Sequence, residues 1–193
     1  MSSVIDLIKL LNNTSAALNI PIREWAVIPS SEITFSSALL EYCKTNVCGN
    51  YNKSWSCPPG CADFDEQKEK ILSYKNVLIF TTVRELEDAF DYEGMEEGRK
   101  LHNSLTIELK KQLGGAPVFG AGGCPVCAEK DGKILNAAKT ACAYPNPCLF
   151  PEKKIGTIEA AGINVTELSK TAKITYNNGQ NTVTFFTIAL FDK

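Results

Sequence analysis

Eight cysteines fall into two sets of four along the 193-residue chain. Cys43, Cys48, Cys57 and Cys61 follow the spacing C-x4-C-x8-C-x3-C, and Cys124, Cys127, Cys142 and Cys148 follow C-x2-C-x14-C-x5-C. Four thiolates brought to one point repel each other, so a cation or cationic cluster must compensate them. Zinc closes a tetrahedron of four sulfurs, and a cubane iron–sulfur cluster takes one thiolate per iron. All eight cysteines are therefore candidate metal ligands. The spacings favour iron over zinc, because structural zinc sites usually show tight paired knuckles or histidine. Only Cys124 and Cys127 form such a pair, and the one histidine, His102, lies far from every cysteine in sequence. The wide gaps suit loops wrapped around a larger cofactor.

Residues beside the cysteines fit that chemistry. Gly49, Gly60 and the Gly122-Gly123 pair free the backbone to turn N–H groups toward sulfur, and such bonds tune a cluster's reduction potential. Proline follows Cys57 and Cys124 directly, as at cluster ligands of bacterial ferredoxins. Trp55 and Tyr51 either shield a cluster from water or are ordinary core aromatics. Cys61 and Cys142 are the two whose loss would leave working three-cysteine sets. A three-cysteine cluster leaves one iron open to a substrate and turns an electron carrier into a catalyst. Cys124-Pro-Val-Cys127 also reads as a thioredoxin-like redox pair, but six further cysteines have no place in a dithiol mechanism. Gly120-Ala-Gly122 fails as a dinucleotide fingerprint, since Pro125 stands where the third glycine belongs. His102 reads as structural, and Glu96, Glu97 and Glu108 read as the wet face of a helix.

The elements that position these loops are legible between the sets. Asn76 to Val83 is a run of apolar and β-branched residues suited to a buried strand. Glu93 to Leu113 has helical periodicity, with Leu101, Leu105 and Leu109 on one face and Gly114-Gly115 as a stop. Ala116 to Gly120 reads as a second strand. Strand, helix and strand form a βαβ unit with parallel strands. Near the carboxy terminus, Lys173–Tyr176 and Thr182–Phe186 flank the turn-forming Asn177-Asn-Gly-Gln-Asn181 and predict a β-hairpin, with strand continuing to Phe191. Pro151 to Ala161 suits a short helix. The fold class expected is α/β: a mixed sheet with a βαβ unit, a C-terminal β-hairpin and two cysteine-rich loops, in one domain over residues 1–193.

Composition limits the function classes. The formal net charge is −2, so no broad basic surface points to nucleic acid or anionic lipid. The amino terminus is an amphipathic pattern interrupted by Asp6 and Lys9, unlike a cleavable signal. The most apolar run, Phe185 to Phe191, is far short of the roughly 20 residues a membrane span needs. The expected location is cytoplasmic, where disulfides are rare and free thiols are available for metal.

Three stretches carry a resemblance. Cys48-Gly-Asn-Tyr51 with Trp55-Ser-Cys57-Pro-Pro59, then Gly122-Gly-Cys-Pro-Val-Cys127, then Cys148-Leu-Phe-Pro-Glu-Lys153 with Glu159-Ala-Ala-Gly-Ile-Asn-Val165, look like the signature of one family. The chain resembles the predicted metal-binding, cysteine-rich proteins of unknown function found mainly in anaerobic bacteria and archaea. The likeness spans roughly residues 40 to 190. It implies metal binding and supplies no reaction. Departures are visible: Ala128-Glu-Lys130 stands where members often carry a third cysteine, with Cys142 as its replacement after an insertion. Leu149 stands for a usual arginine, and Ile155-Gly-Thr-Ile158 replaces an Arg-Pro-Ser-Met run. The function expected is that of an iron–sulfur protein with two 4Fe–4S clusters on the eight cysteines, acting in electron transfer with a redox protein partner. A zinc-stabilised binding module and an enzyme with an open iron–sulfur site are the alternatives.

Overall fold

The amino-terminal amphipathic pattern folds as helix α1 (Val4–Leu18), which buries Leu7 and Leu11. Strand β1 (Glu24–Pro29) follows, then α2 (Ala38–Lys44), which carries Cys43, and α3 (Phe64–Leu72), whose first turn is capped by Asp63 accepting from the Glu66 N–H. The predicted buried strand is β2 (Asn76–Glu85) and the predicted helix is α4 (Tyr92–Gln112). Gly114 and Gly115 both take positive φ and end α4, and β3 (Val118–Gly120) follows. The second cysteine region contains β4 (Glu129–Lys130), β5 (Lys133–Ile134) and α5 (Ala138–Ala141), then β6 (Gly156–Thr157), α6 (Val165–Ala172) and β7 (Thr182–Phe191). These elements come from a computed structural model that describes residues 4–131, 133–134 and 138–192.

Five strands form one mixed sheet in the order β1-β2-β7-β3-β6, and β4 pairs with β5 apart from it. β7 runs antiparallel to both β2 and β3, while β3 is parallel to β6. The strands of the predicted βαβ unit therefore point the same way, as expected, but β7 lies between them. Alternating residues of β2 and β7 face opposite cores, as a strand's two-residue period requires. Val77, Ile79, Phe186, Ile188 and Leu190 pack with Ile71 of α3 and Leu168 of α6. Leu78, Phe80, Ala189 and Phe191 pack with Leu7 and Leu11 of α1 and Leu105 and Leu109 of α4. The sheet is covered by helices on both faces, which is why β2 reads as an unbroken apolar run.

Two expectations are corrected. The C-terminal hairpin does not form: Lys173–Tyr176 is not a strand. β2 takes Thr182–Phe191 into one continuous antiparallel ladder, and β3 pairs the other edge of β7 at Ile188 and Ala189. Lys173 instead ends α6 in a left-handed conformation, Ile174 is buried in the core, and Thr175 bonds the Glu24 carboxylate. The stretch Pro151–Ala161 is not one helix either. It breaks into 3-10 turns at Pro151–Lys153 and Glu159–Ala161 with β6 between them, because β3 recruits Gly156 and Thr157 as a sheet edge.

His102 is structural, as the sequence suggests. It is fully buried on α4, with Nδ1 2.9 Å from Thr82 Oγ1 and Nε2 2.8 Å from Thr187 Oγ1. Thr106 ties the same Thr187 hydroxyl to the helix. Burial pushes the imidazole down to about 4 from the usual 6.5. Protons therefore bind the unfolded chain first. Stability is whole above pH 6.5 and falls as pH drops from there toward 4, by about 3 kcal/mol if this shift acts alone. Urea unfolding from pH 7.5 to 4.5 should show that slope, and His102→Gln should flatten it. The carboxylates of the wet face behave as read: Glu96 pairs with Arg99, Glu97 with Arg84 and Glu108 with Lys111. Such exposed pairs are worth little.

Candidate metal centres

Both cysteine sets collect at the β3–β6 side of the sheet. Cys43 sits in the last turn of α2, and Asn46 and Gly49 take positive φ to turn the chain around Cys48. The Gly49 N–H donates to the Asn46 carbonyl at 3.0 Å. A tight turn then runs from Ser54 to Cys61, with the Cys57 N–H on the Ser54 carbonyl and the Cys61 N–H on the Cys57 carbonyl, both at 3.1 Å. Gly60 is needed here, because a Cβ would lie 2.7 Å from the Tyr144 ring and 2.8 Å from the Ser54 carbonyl. In the second set, Gly122 turns with φ +76° ahead of Cys124. Cys127 lies in the 3-10 turn Val126–Ala128, Cys142 directly follows α5, and Cys148 precedes Pro151.

Burial and neighbouring thiols together raise five of the eight cysteines. Burial raises Cys43 first, and the charges of Cys57 and Cys48 raise it further. Burial pushes Cys61 up to about 11, with Cys57 and Cys43 adding to it. Cys57 is raised chiefly by burial, against the neighbouring Thr157 and Ser56 hydroxyls, which lower it. In the second set burial carries Cys124 to about 11, opposed by backbone bonds at Ile155 and Val126 and assisted by Cys127 and Cys148. Cys127 is raised by burial and then by Cys142 and Cys148. Among the described residues, no basic side chain is named among the charges acting on these five thiols. Glu159 adds negative charge beside Cys43 and Cys57. Burial and neighbouring thiol charge both disfavour free thiolates here, a cost that a bound metal ion would relieve.

A pocket of about 510 Å³ opens on the first set, with Cys43, Cys48, Cys57, Tyr51, Thr157 and Glu159 in its walls. Glu159 is exposed to the water of this pocket yet ringed by protein, which raises its carboxyl. Among the described residues, no group of three or more Cys, His, Asp or Glu side chains is closed into a metal-ion site.

The two sets share a wall. Ser56 Oγ accepts from the Cys124 N–H at 2.7 Å and lies 3.9 Å from Cys57 Sγ. Thr157 Oγ1 donates to the Gly122 carbonyl at 2.6 Å and lies 3.6 Å from Cys57 Sγ. Trp55 Nε1 donates to the Asn146 carbonyl at 2.8 Å, and its ring meets Tyr144 edge-on at 4.9 Å. Trp55 therefore fastens one cysteine loop to the other. Gln67 Nε2 is 3.7 Å from Cys61 Sγ, and the Ile155 N–H is 3.4 Å from Cys124 Sγ.

Residues 26–191 match the family model described as "Predicted metal-binding protein (DUF2284)". The chain belongs to this family. No curated protein and no solved structure matches it. Membership makes this a predicted metal-binding protein with eight cysteines to supply sulfur, all of them free thiols. Among the described residues no helix is long and apolar enough to cross a membrane. Sequence reasoning did not single out Ser56, Thr157, Gln67 or Glu159 as part of the site. The nearest signal was position: Ser56 adjoins Cys57, and Thr157 and Glu159 fall within or beside the family's closing motif.

Proposed function

We propose that the protein carries two four-iron, four-sulfur clusters. One is held by Cys43, Cys48, Cys57 and Cys61, the other by Cys124, Cys127, Cys142 and Cys148, and they serve electron transfer with a redox protein partner. The observation that supports this most is that burial raises five of the cysteines and that each of these is raised further by thiols of its own set. Bound there, clusters supply one-electron storage at two adjoining points. The chain's own groups do the rest. Burial of Cys57 excludes water from the inner side, while Ile155 N–H, Gln67 Nε2 and the Ser56 and Thr157 hydroxyls approach sulfur and set its basicity. Cys48 lies at the surface beside the exposed Tyr42 and Val47, an edge where a redox partner would approach.

The pocket at Cys43, Cys48, Cys57 and Glu159 favours a second reading, in which the first set leaves a metal position open to a small molecule. Anaerobic purification followed by iron, zinc and acid-labile sulfide analysis tests the main one. Iron and sulfide in equal amounts with a broad visible absorbance are expected. Colourless protein containing zinc and no sulfide would overturn it, because zinc has no redox states.

A further inference from the structure

A second pocket shares no lining residue with the one described above. It measures about 260 Å³ and is bounded by α3, the end of α4, β3 and the Pro151–Gly156 segment, with Cys61 in its wall. Its apolar side is Trp55, Pro117 and Phe119, and its polar side holds Lys70, Lys110 and Lys154. Lys110 is the unusual member. It is only 7% exposed, and its Nζ makes one bond, to the Ala116 carbonyl at 2.8 Å. An ammonium has three protons to place, and a buried charge is costly unless it is paired. Glu66 and Glu152 also line the pocket, so three ammonium groups face two carboxylates. Among the described residues none of the five forms an ion pair within 4.0 Å. Burial lowers Lys110, Glu152 opposes this and Lys70 adds to it, which brings Lys70 and Lys110 within electrostatic range of each other. The volume is just under the roughly 300–1,000 Å³ usual for small-molecule sites.

We infer that this pocket binds a small carboxylate with an apolar body, its charge on the Lys70–Lys110–Lys154 side and its body against Trp55 and Phe119. The site is independent of which metal the cysteines hold, and Cys61 and Ser56 in its wall put the bound molecule next to the first centre. Lys153 provides the control. It lines the neighbouring hollow with Cys127 and Phe150 and stacks on the Phe150 ring at 5.6 Å.

The test is calorimetric titration of the metal-loaded full chain with benzoate and with neutral benzamide. Benzoate is expected to bind once per chain, with benzamide at least tenfold weaker. Lys70 and Lys154 are exposed, so the double variant Lys70→Gln/Lys154→Gln keeps the fold, and it should weaken benzoate about tenfold. Lys153→Gln should leave binding unchanged. No saturable benzoate binding, benzamide binding as tightly, an unaffected double variant, or an equal loss in Lys153→Gln would each overturn the inference.

Discussion

Replacing Cys57 by serine will strip metal from the first set and leave the second loaded, while Cys127→Ser will do the reverse. Each variant should therefore keep about half of the metal found in the parent protein when two equal centres are present. Cys57 carries the larger cost in stability. It is the most buried of the first set at 6% exposed, and its neighbours approach it from β6 and from the Ser54–Cys61 turn. Metal binding at such loops is also folding energy, since the loops have no organised site in the unfolded chain. Metal analysis of the two purified variants, with thermal unfolding of each, checks both statements. Full metal content in both would remove these residues from the ligand sets, whatever the metal proves to be.

The second large effect is expected at a residue that is not a ligand. Thr157→Val keeps the shape of the side chain and removes its hydroxyl. The Gly122 carbonyl then loses its donor and Cys57 loses a polar neighbour. Losing a hydrogen bond costs about 0.5–1.5 kcal/mol, and loss of such a supporting contact typically weakens metal binding by about 10- to 100-fold. Because Thr157 touches the approach to Cys124 as well as Cys57, both sets should release metal more readily to a chelator. Competition with a chromophoric chelator measures this directly. A Thr157→Val protein with parental release kinetics at both sets would show that the shared wall is only packing.

Local patterns reached far into this fold. The run from Asn76 and the periodicity through Leu105 and Leu109 were enough for β2 and α4, since each reports a buried face. The predicted metal binding was legible for a chemical reason: eight free thiols in one chain have few uses other than metal. What failed was pairing at a distance. Asn177-Asn-Gly has good turn chemistry, yet Thr182 to Phe186 pair with Thr81 to Glu85 of β2, and Ile174 is buried in the core instead of pairing as a strand. Tertiary packing outweighed the local turn. The Ser56 and Thr157 contacts were hidden for the same reason. Thr157 lies 100 residues from Cys57, and nothing in a run reading Ile155-Gly-Thr-Ile158 marks it as a neighbour of sulfur.

The placement of β7 has a consequence for biogenesis. It is the last strand of the sheet to be made, after all eight cysteines, and yet it is the piece that joins β2 to β3. On the ribosome the nascent chain exposes both thiol-bearing loops before their platform can close, since folding proceeds as the chain emerges. A chain truncated before Thr182 would therefore carry all eight cysteines without the strand that joins β2 to β3.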